Sequence, residues 1–281
     1  MLKGNTNRKT TSSSFVRSAV LKERMLLPRL FLILCYAGSA SCLLAASLLP
    51  SQASQLATAT QGLLKEDVSG WLLARLSSLV VERNEATNLV SRKDCTFDSV
   101  WRLHVLPSLA LLPRLHAARG RRGGGGKTRV IDVGTGGGFP GLPLAIAMGG
   151  LEGGEGFEFV LLDSRGKKIE SVELFAESLG LGADVVKPVH ARSEEYRDEG
   201  GGGFDFVLGR SVAALPKFCG WTKHLLREGG QLVYIKGGDI AVETGGLVEP
   251  VEDFELLPGL SDKRGLVFER EQVQRLAKIR I

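Results

Sequence analysis

"VIDVGTGGGFPGLPLAIA", residues 130–147, decides the fold. A β-branched run ending in Asp132 meets four glycines between positions 134 and 138, and beyond Pro140 the chain turns to densely apolar residues. β-Branched residues suit a strand and glycine suits a backbone forced out of ordinary conformations, so the stretch predicts strand, tight turn and helix. Ligands of parallel sheets bind at the carboxyl ends of the strands, where the next helix also offers unpaired N–H groups. The turn alone is compatible with a dinucleotide pyrophosphate, a phosphate, the amino-acid end of S-adenosylmethionine, or a plain βα connection.

Working outward, strands are predicted at 128–133, 157–162, 184–187, 204–208, 231–235, 253–257 and 265–269. Helix-like segments such as "KKIESVELFAESLG" separate the first five, which implies a mainly parallel sheet covered on both faces. The last two strands follow each other without a long helix and form an antiparallel edge. Upstream, "LLKEDVSGWLLARLSSLVVERNEATNLVS" and "FDSVWRLHVLPSLALLP" carry apolar residues at helical spacing, the second bent near Pro107. Three glycine-rich interruptions, "RGRRGGGGK", "GGLEGGEG" and "DEGGGG", read as surface loops between elements. The division predicted is a targeting segment over 1–60, a helical segment over 61–115 and a catalytic domain over 127–281.

The second strand narrows the choice of ligand. "FEFVLLDSRGKK" ends in Asp163, a carboxylate placed to accept hydrogen bonds from ribose hydroxyls. Its separation from Asp132 is longer than usual, and the intervening "GGLEGGEG" accounts for the excess. An acid at the end of the first strand followed directly by "GTGGG" favours a methyltransferase turn over a dehydrogenase fingerprint.

Charge is uneven along the 281 residues. The first sixty hold seven basic side chains against one acid, Glu23, whereas the rest hold 29 against 30, so the net +5 resides at the N-terminus. Any nucleic-acid binding by the body therefore has to use local patches. The N-terminal sixty, rich in Ser and Thr with an uncharged run over 31–49, read as an import signal to an organelle, a plastid before a mitochondrion, with a retained membrane anchor as the alternative. Cys35 and Cys42 fall there; Cys95 and Cys219 lie far apart, without the spacing of a disulfide framework or zinc site. His104, His116, His190 and His224 show no metal-ligand spacing, and Trp71, Trp101 and Trp221 fit helix packing.

The ordered motifs "VIDVGTGGGFPGLPLAIA", "LLDSRGKK", "GRSVAAL" and "LVYIKGG", with "NEATNLVS" and "RLHVLPS" upstream, resemble the ribosomal RNA small-subunit methyltransferase G family, also called glucose-inhibited division protein B. The resemblance covers roughly Leu63 to Arg270. It implies a class I S-adenosylmethionine-dependent methyltransferase fold, an α/β Rossmann-like seven-stranded sheet with an N-terminal helical segment. It also implies N7-methylation of a guanine near the decoding centre of bacterial-type small-subunit ribosomal RNA, naked or in an assembling subunit. By the same resemblance, Asp132, Gly134, Gly136, Phe139, Asp163, Ser193, Glu194 and Arg210 hold the cofactor. Arg210, Lys167 and Lys236 position the reactants, and Asn88, His104, Lys167, Lys236 and Arg264 face RNA. The chain departs from the family pattern at Leu103 and Pro107, where arginine and aspartate are usual, and at Arg83 and Thr87, where aromatics are common.

Guanine N7 has no proton to lose, so no general base is expected, and neither an Asn-Pro-Pro-aromatic sequence nor a Pro-Cys nucleophile is found. A monomer without stable membrane contact is expected once the targeting segment is removed. Two other readings fit the same pocket: a methyltransferase of this fold acting on a protein or small metabolite, and a non-catalytic ribosome-assembly factor that retains the pocket.

Overall fold

The structure, a computed structural model, describes residues 48–64, 68–118, 126–151, 156–198, 200, 202–259 and 262–279. Residues 1–47, with most of the segment read as a targeting signal, lie outside it, as does the "RGRR" of the first glycine-rich interruption.

Seven strands form one sheet in the order β3-β2-β1-β4-β5-β7-β6. They are β1 (Thr128–Val133), β2 (Phe157–Asp163), β3 (Val186–His190), β4 (Phe204–Arg210), β5 (Leu226–Gly237), β6 (Glu252–Glu255) and β7 (Lys263–Glu269). β1 to β5 pair in parallel, while β7 runs antiparallel to both β5 and β6, the edge anticipated above. This is the class I methyltransferase arrangement. β3 extends beyond its predicted end because Pro188, a poor residue for an interior ladder, is tolerated on an edge strand.

Both faces of the sheet are buried, so its strands are apolar runs rather than alternations. Val130, Phe159, Leu161, Phe206, Leu208, Val233 and Ile235 point to one core; Ile131, Val133, Val160, Leu162, Val207, Leu232 and Tyr234 point to the other. The first core is shared with the helices preceding β1: α1 (Pro50–Ala59), α2 (Val68–Asn84), α3 (Phe97–Val100), α4 (Leu106–Leu109) and α5 (Leu112–Ala117). It also takes α6 (Gly141–Gly149) and α7 (Gly166–Ser178). The second core lies under α8 (Leu215–Thr222) and α10 (Arg270–Leu276), with α9 (Ile240–Thr244) at the rim.

The start of the folded body differs from the boundary predicted at residue 61. α1 lies within the stretch assigned to targeting, yet Leu56 and Ala59 are buried in the first core and Gln55 Oε1 accepts from Trp101 Nε1 at 3.2 Å. Burial of one apolar stripe on a short helix is a sufficient driving force. The body therefore begins at Leu48.

The bend near Pro107 takes a definite form. α3 continues into a π turn over Trp101–Val105 before α4. Proline has no N–H, so Pro107 cannot bond the carbonyl four residues back, that of Leu103. That carbonyl instead accepts from Arg210 of β4, at 3.4 Å.

Candidate active site

β1 delivers Asp132 beneath the glycine turn. The carboxylate is fully buried, and its Oδ2 accepts from Thr135 Oγ1 at 2.7 Å and from the Gly141 N–H at 2.9 Å. It thereby ties the end of the strand to the turn and to the first residue of α6. Burial raises its pKa to about 6, with the bonds from Thr135 and Gly141 acting in the opposite direction. Asp132 is thus a structural support under the cleft floor rather than a group a ligand would touch.

Above it the backbone passes through left-handed conformations at Gly134 (φ 72°) and Gly136 (φ 60°). A side chain at Gly134 would also sit 2.9 Å from Val212, so both strain and space restrict the position to glycine. The Gly134 and Thr135 N–H groups both donate to Leu162 O, at 2.8 and 3.0 Å, which locks the turn to the end of β2.

Asp163 closes the other side. Its Oδ2 accepts from the Gly136 N–H at 3.0 Å and its Oδ1 from the Arg165 N–H at 2.9 Å. Each oxygen keeps a lone pair, which leaves the carboxylate oriented and still able to accept from a diol. A cleft of about 360 Å³ opens over this arrangement, lined by Gly134, Gly136, Phe139, Asp163, Ser193, Glu194 and Arg210. All the cofactor residues read from the sequence except Asp132 therefore meet at one site. Ser193 donates to the adjacent Glu194 Oε2 at 3.0 Å, a bond within the loop after β3.

Arg210 enters from β4, on the other side of β1 from Asp163. Its guanidinium lies 5.2 Å from the Phe139 ring centroid, and the His104 ring packs 5.3 Å from the same ring. Burial lowers the Arg210 pKa to about 10, with Asp132 acting in the opposite direction; the group remains charged at neutral pH. His104 is pushed down to about 2, mainly by burial and further by Arg210 and Lys263, so its imidazole is neutral. Its Nδ1 is buried without a hydrogen-bond partner.

The basic and polar residues read for RNA are placed less uniformly. Lys167, the first lysine of α7, is exposed and does not line the cleft; the next residue, Lys168, does. A one-residue step on a helix rotates a side chain by about 100°, which decides which of two adjacent lysines faces inward. Lys236 is paired with Glu243 at 2.6 Å, and Arg264 with Asp253. Asn88 is exposed in the loop after α2, and His104 lies inside the rim rather than on an open surface.

Three other residues complete the site. Leu89 forms part of the cleft wall, and its loop is held by buried Asn84, whose Oδ1 accepts from the N–H groups of Leu89 and Val90 at 2.8 and 2.9 Å. The only sequence signal was an asparagine at the end of a helix, a common and unspecific one. Trp221, read as helix packing, also reaches the cleft wall.

Comparison with known proteins identifies the lineage. Residues 71–247 match the GidB family, described as rRNA small subunit methyltransferase G. Proteins named ribosomal RNA small subunit methyltransferase G from Cytophaga hutchinsonii and Aeromonas salmonicida are 36% and 39% identical, over 187 and 176 residues. These alignments cover 64% and 63% of this chain, and 80% and 74% of the relatives. A third, from Chlorobaculum tepidum, is 40% identical over 172 residues, covering 61% of this chain and 70% of the relative. The match spans the glycine turn, Asp163, Arg210 and the helical layer that supplies Leu89 and His104, and on this ground the chain belongs to the ribosomal RNA small subunit methyltransferase G family.

Proposed function

We propose that this protein transfers a methyl group from S-adenosylmethionine to N7 of a guanine in bacterial-type small-subunit ribosomal RNA. The observation that carries the reading is the intact cleft, with Asp163 and the left-handed glycines on one side and Arg210 on the other, inside the region that matches the family. The residues fit the cofactor: an oriented carboxylate for ribose hydroxyls, a backbone open to close approach, and apolar walls from Leu89 and Val212.

When bound, S-adenosylmethionine supplies an electrophilic methyl on a sulfonium sulfur. The attacking lone pair of N7 lies in the plane of the base and carries no proton, so the chain's residues act by placement. Asp163 and the glycine turn fix one reactant. Arg210, held between the Phe139 ring and the Leu103 carbonyl, is a preorganised cation at the side where the base enters.

The test is incubation of the purified protein with methyl-labelled cofactor and unmodified bacterial-type small subunits or their RNA, followed by cleavage specific for N7-methylguanine. Label at one guanine is the expected result. Cofactor binding without label, beside an active bacterial relative, overturns the reading and redirects the search to protein or small-molecule acceptors or to an assembly role.

The chain is further proposed to work as a monomer in an organelle, the plastid in first place. The basic, Ser/Thr-rich residues 1–60 support import. Among the described residues no helix is long and apolar enough to cross a membrane; all but the last two residues of the 31–49 run lie outside them. A fluorescent fusion and the sedimentation mass of the purified protein test these two statements.

A further inference from the structure

Several half-buried cations of this fold have a carboxylate of their own. Lys236 is tied to Glu243, Arg129 to Asp198 and Arg227 to Asp205. The more exposed Arg264 is likewise tied to Asp253. Arg210 and Lys263, like Arg83, Lys127, Lys168 and Arg270, have none among the described residues. β4 carries Arg210 to its carboxyl end in register with Ile235, and β7 begins at Lys263 in register with Gly237, so both residues stand at one end of the sheet. Both are half-buried, and neither forms an ion pair among the described residues. The carboxylates acting on them are Asp132, engaged under the glycine turn, and exposed Asp262 beside Lys263. His104 packs in the same corner and offers a buried Nδ1 with no partner.

Two neighbouring cations held partly out of water repel each other and lack full solvation, a situation an anion relieves. Burial and then Arg210 lower the pKa of Lys263, and both cations act on His104, in keeping with their closeness. A phosphodiester carries one negative charge and two free oxygens, which suit a guanidinium fork and an ammonium together.

We propose that Arg210 and Lys263 form a subsite for a backbone phosphate of the RNA beside the methylated guanine, and that this pair, rather than Lys236 and Arg264, makes the phosphate contact at the cleft mouth. The inference rests on the RNA reading above. Lys263 was not nominated by the sequence, because its neighbour Arg264 matched the family position.

The test is titration of the full chain with deproteinised bacterial-type small-subunit ribosomal RNA between roughly 50 and 200 mM salt, with cofactor affinity measured in parallel. Lys263→Gln is expected to weaken RNA binding about tenfold at the low end and to reduce the salt slope by about 0.7, the single-strand value for one contact. Lys263→Arg is expected to restore most of the loss, and an unchanged cofactor affinity certifies the fold of each variant. Lys223→Gln removes the same charge just before β5 begins, at the opposite end of that strand, and is expected to change RNA binding less than about twofold. If Lys263→Gln binds no more weakly than Lys223→Gln, the subsite is overturned while the RNA reading stands. If the unsubstituted protein takes up the cofactor but neither binds nor methylates the RNA, the RNA reading falls and the subsite with it.

Discussion

The two sides of the cleft are built in opposite ways. On the Asp163 side, almost every restraint is donated by a backbone N–H close in sequence to β1 or β2: Gly134 and Thr135 to the Leu162 carbonyl, Gly136 to the Asp163 carboxylate and Gly141 to the Asp132 carboxylate. On the Arg210 side, β4, the π turn and the Phe139 ring meet through the Arg210 and His104 side chains, drawn from distant parts of the chain. The first side is held by those backbone bonds before any ligand arrives, with Asp132 Oδ1 alone buried and unpartnered beneath it. The second retains unpaired cations and an unpartnered imidazole nitrogen, so its polar groups still lack partners. Preorganisation thus concentrates where the small cofactor is fixed, and unspent polar capacity where the polymer is met.

Removing Asp163 should break this contrast most severely. Asp163→Ala takes away the carboxylate and leaves the N–H groups of Gly136 and Arg165 without their acceptor; cofactor affinity measured by calorimetry should fall by about 100-fold, on the order of 3 kcal/mol. RNA affinity in the absence of cofactor should change far less, and an equal loss of both would show that the two sides are not separable.

Asn84→Ala comes next. It frees two buried N–H groups behind Leu89, a cost of about 2 kcal/mol read in the urea midpoint, and should weaken the cofactor about tenfold through the loosened wall. Loss of stability with normal cofactor affinity would confine Asn84 to folding.

His104 probes the second side through pH. Its folded pKa of about 2 lies below the unfolded value near 6.5, so between these values the unfolded chain binds a proton that the folded chain does not. The contribution to stability is complete above about pH 6.5 and is lost as pH falls, by up to about 1.4 kcal/mol per unit. Asp132, raised to about 6, acts in the opposite direction between about pH 4 and 6, favouring the fold more as pH falls. His104→Asn should therefore flatten the acid side of the profile, and Asp132→Asn should steepen it. Identical profiles for both variants and the parent would contradict the assigned burial.

The smallest effect separates two adjacent lysines. Lys168→Gln, at the cleft wall, should weaken cofactor or RNA binding about threefold, and Lys167→Gln, on the solvent side, should do less. The reverse order would restore Lys167 to the role read from the sequence.

The same contrast governs what the sequence made legible. The strand-turn-helix around Asp132, the partner Asp163 and the antiparallel edge were readable because each is a local pattern of β-formers, glycines and acids. The placement of Lys168 over Lys167 depends on where α7 begins, which neither its sequence nor a family motif fixes to within one residue. Lys236 and Arg264 were read as free cations because their partners, Glu243 and Asp253, lie 7 and 11 residues away and meet them only in the fold. Asn84 carried only the unspecific signal of an asparagine at a helix end and Lys263 none, since what matters is the atom each finds across space.

The position of α1 limits how far the N-terminus could be shortened. Leu56 and Ala59 fill the first core, and Gln55 accepts from the Trp101 indole. A peptidase that removed the N-terminal segment at or beyond Leu56 would open a hole behind the π turn that carries His104 and frees the Leu103 carbonyl for Arg210. Any shortening that leaves the active-site wall intact would have to stop ahead of α1, so the fold itself sets that limit.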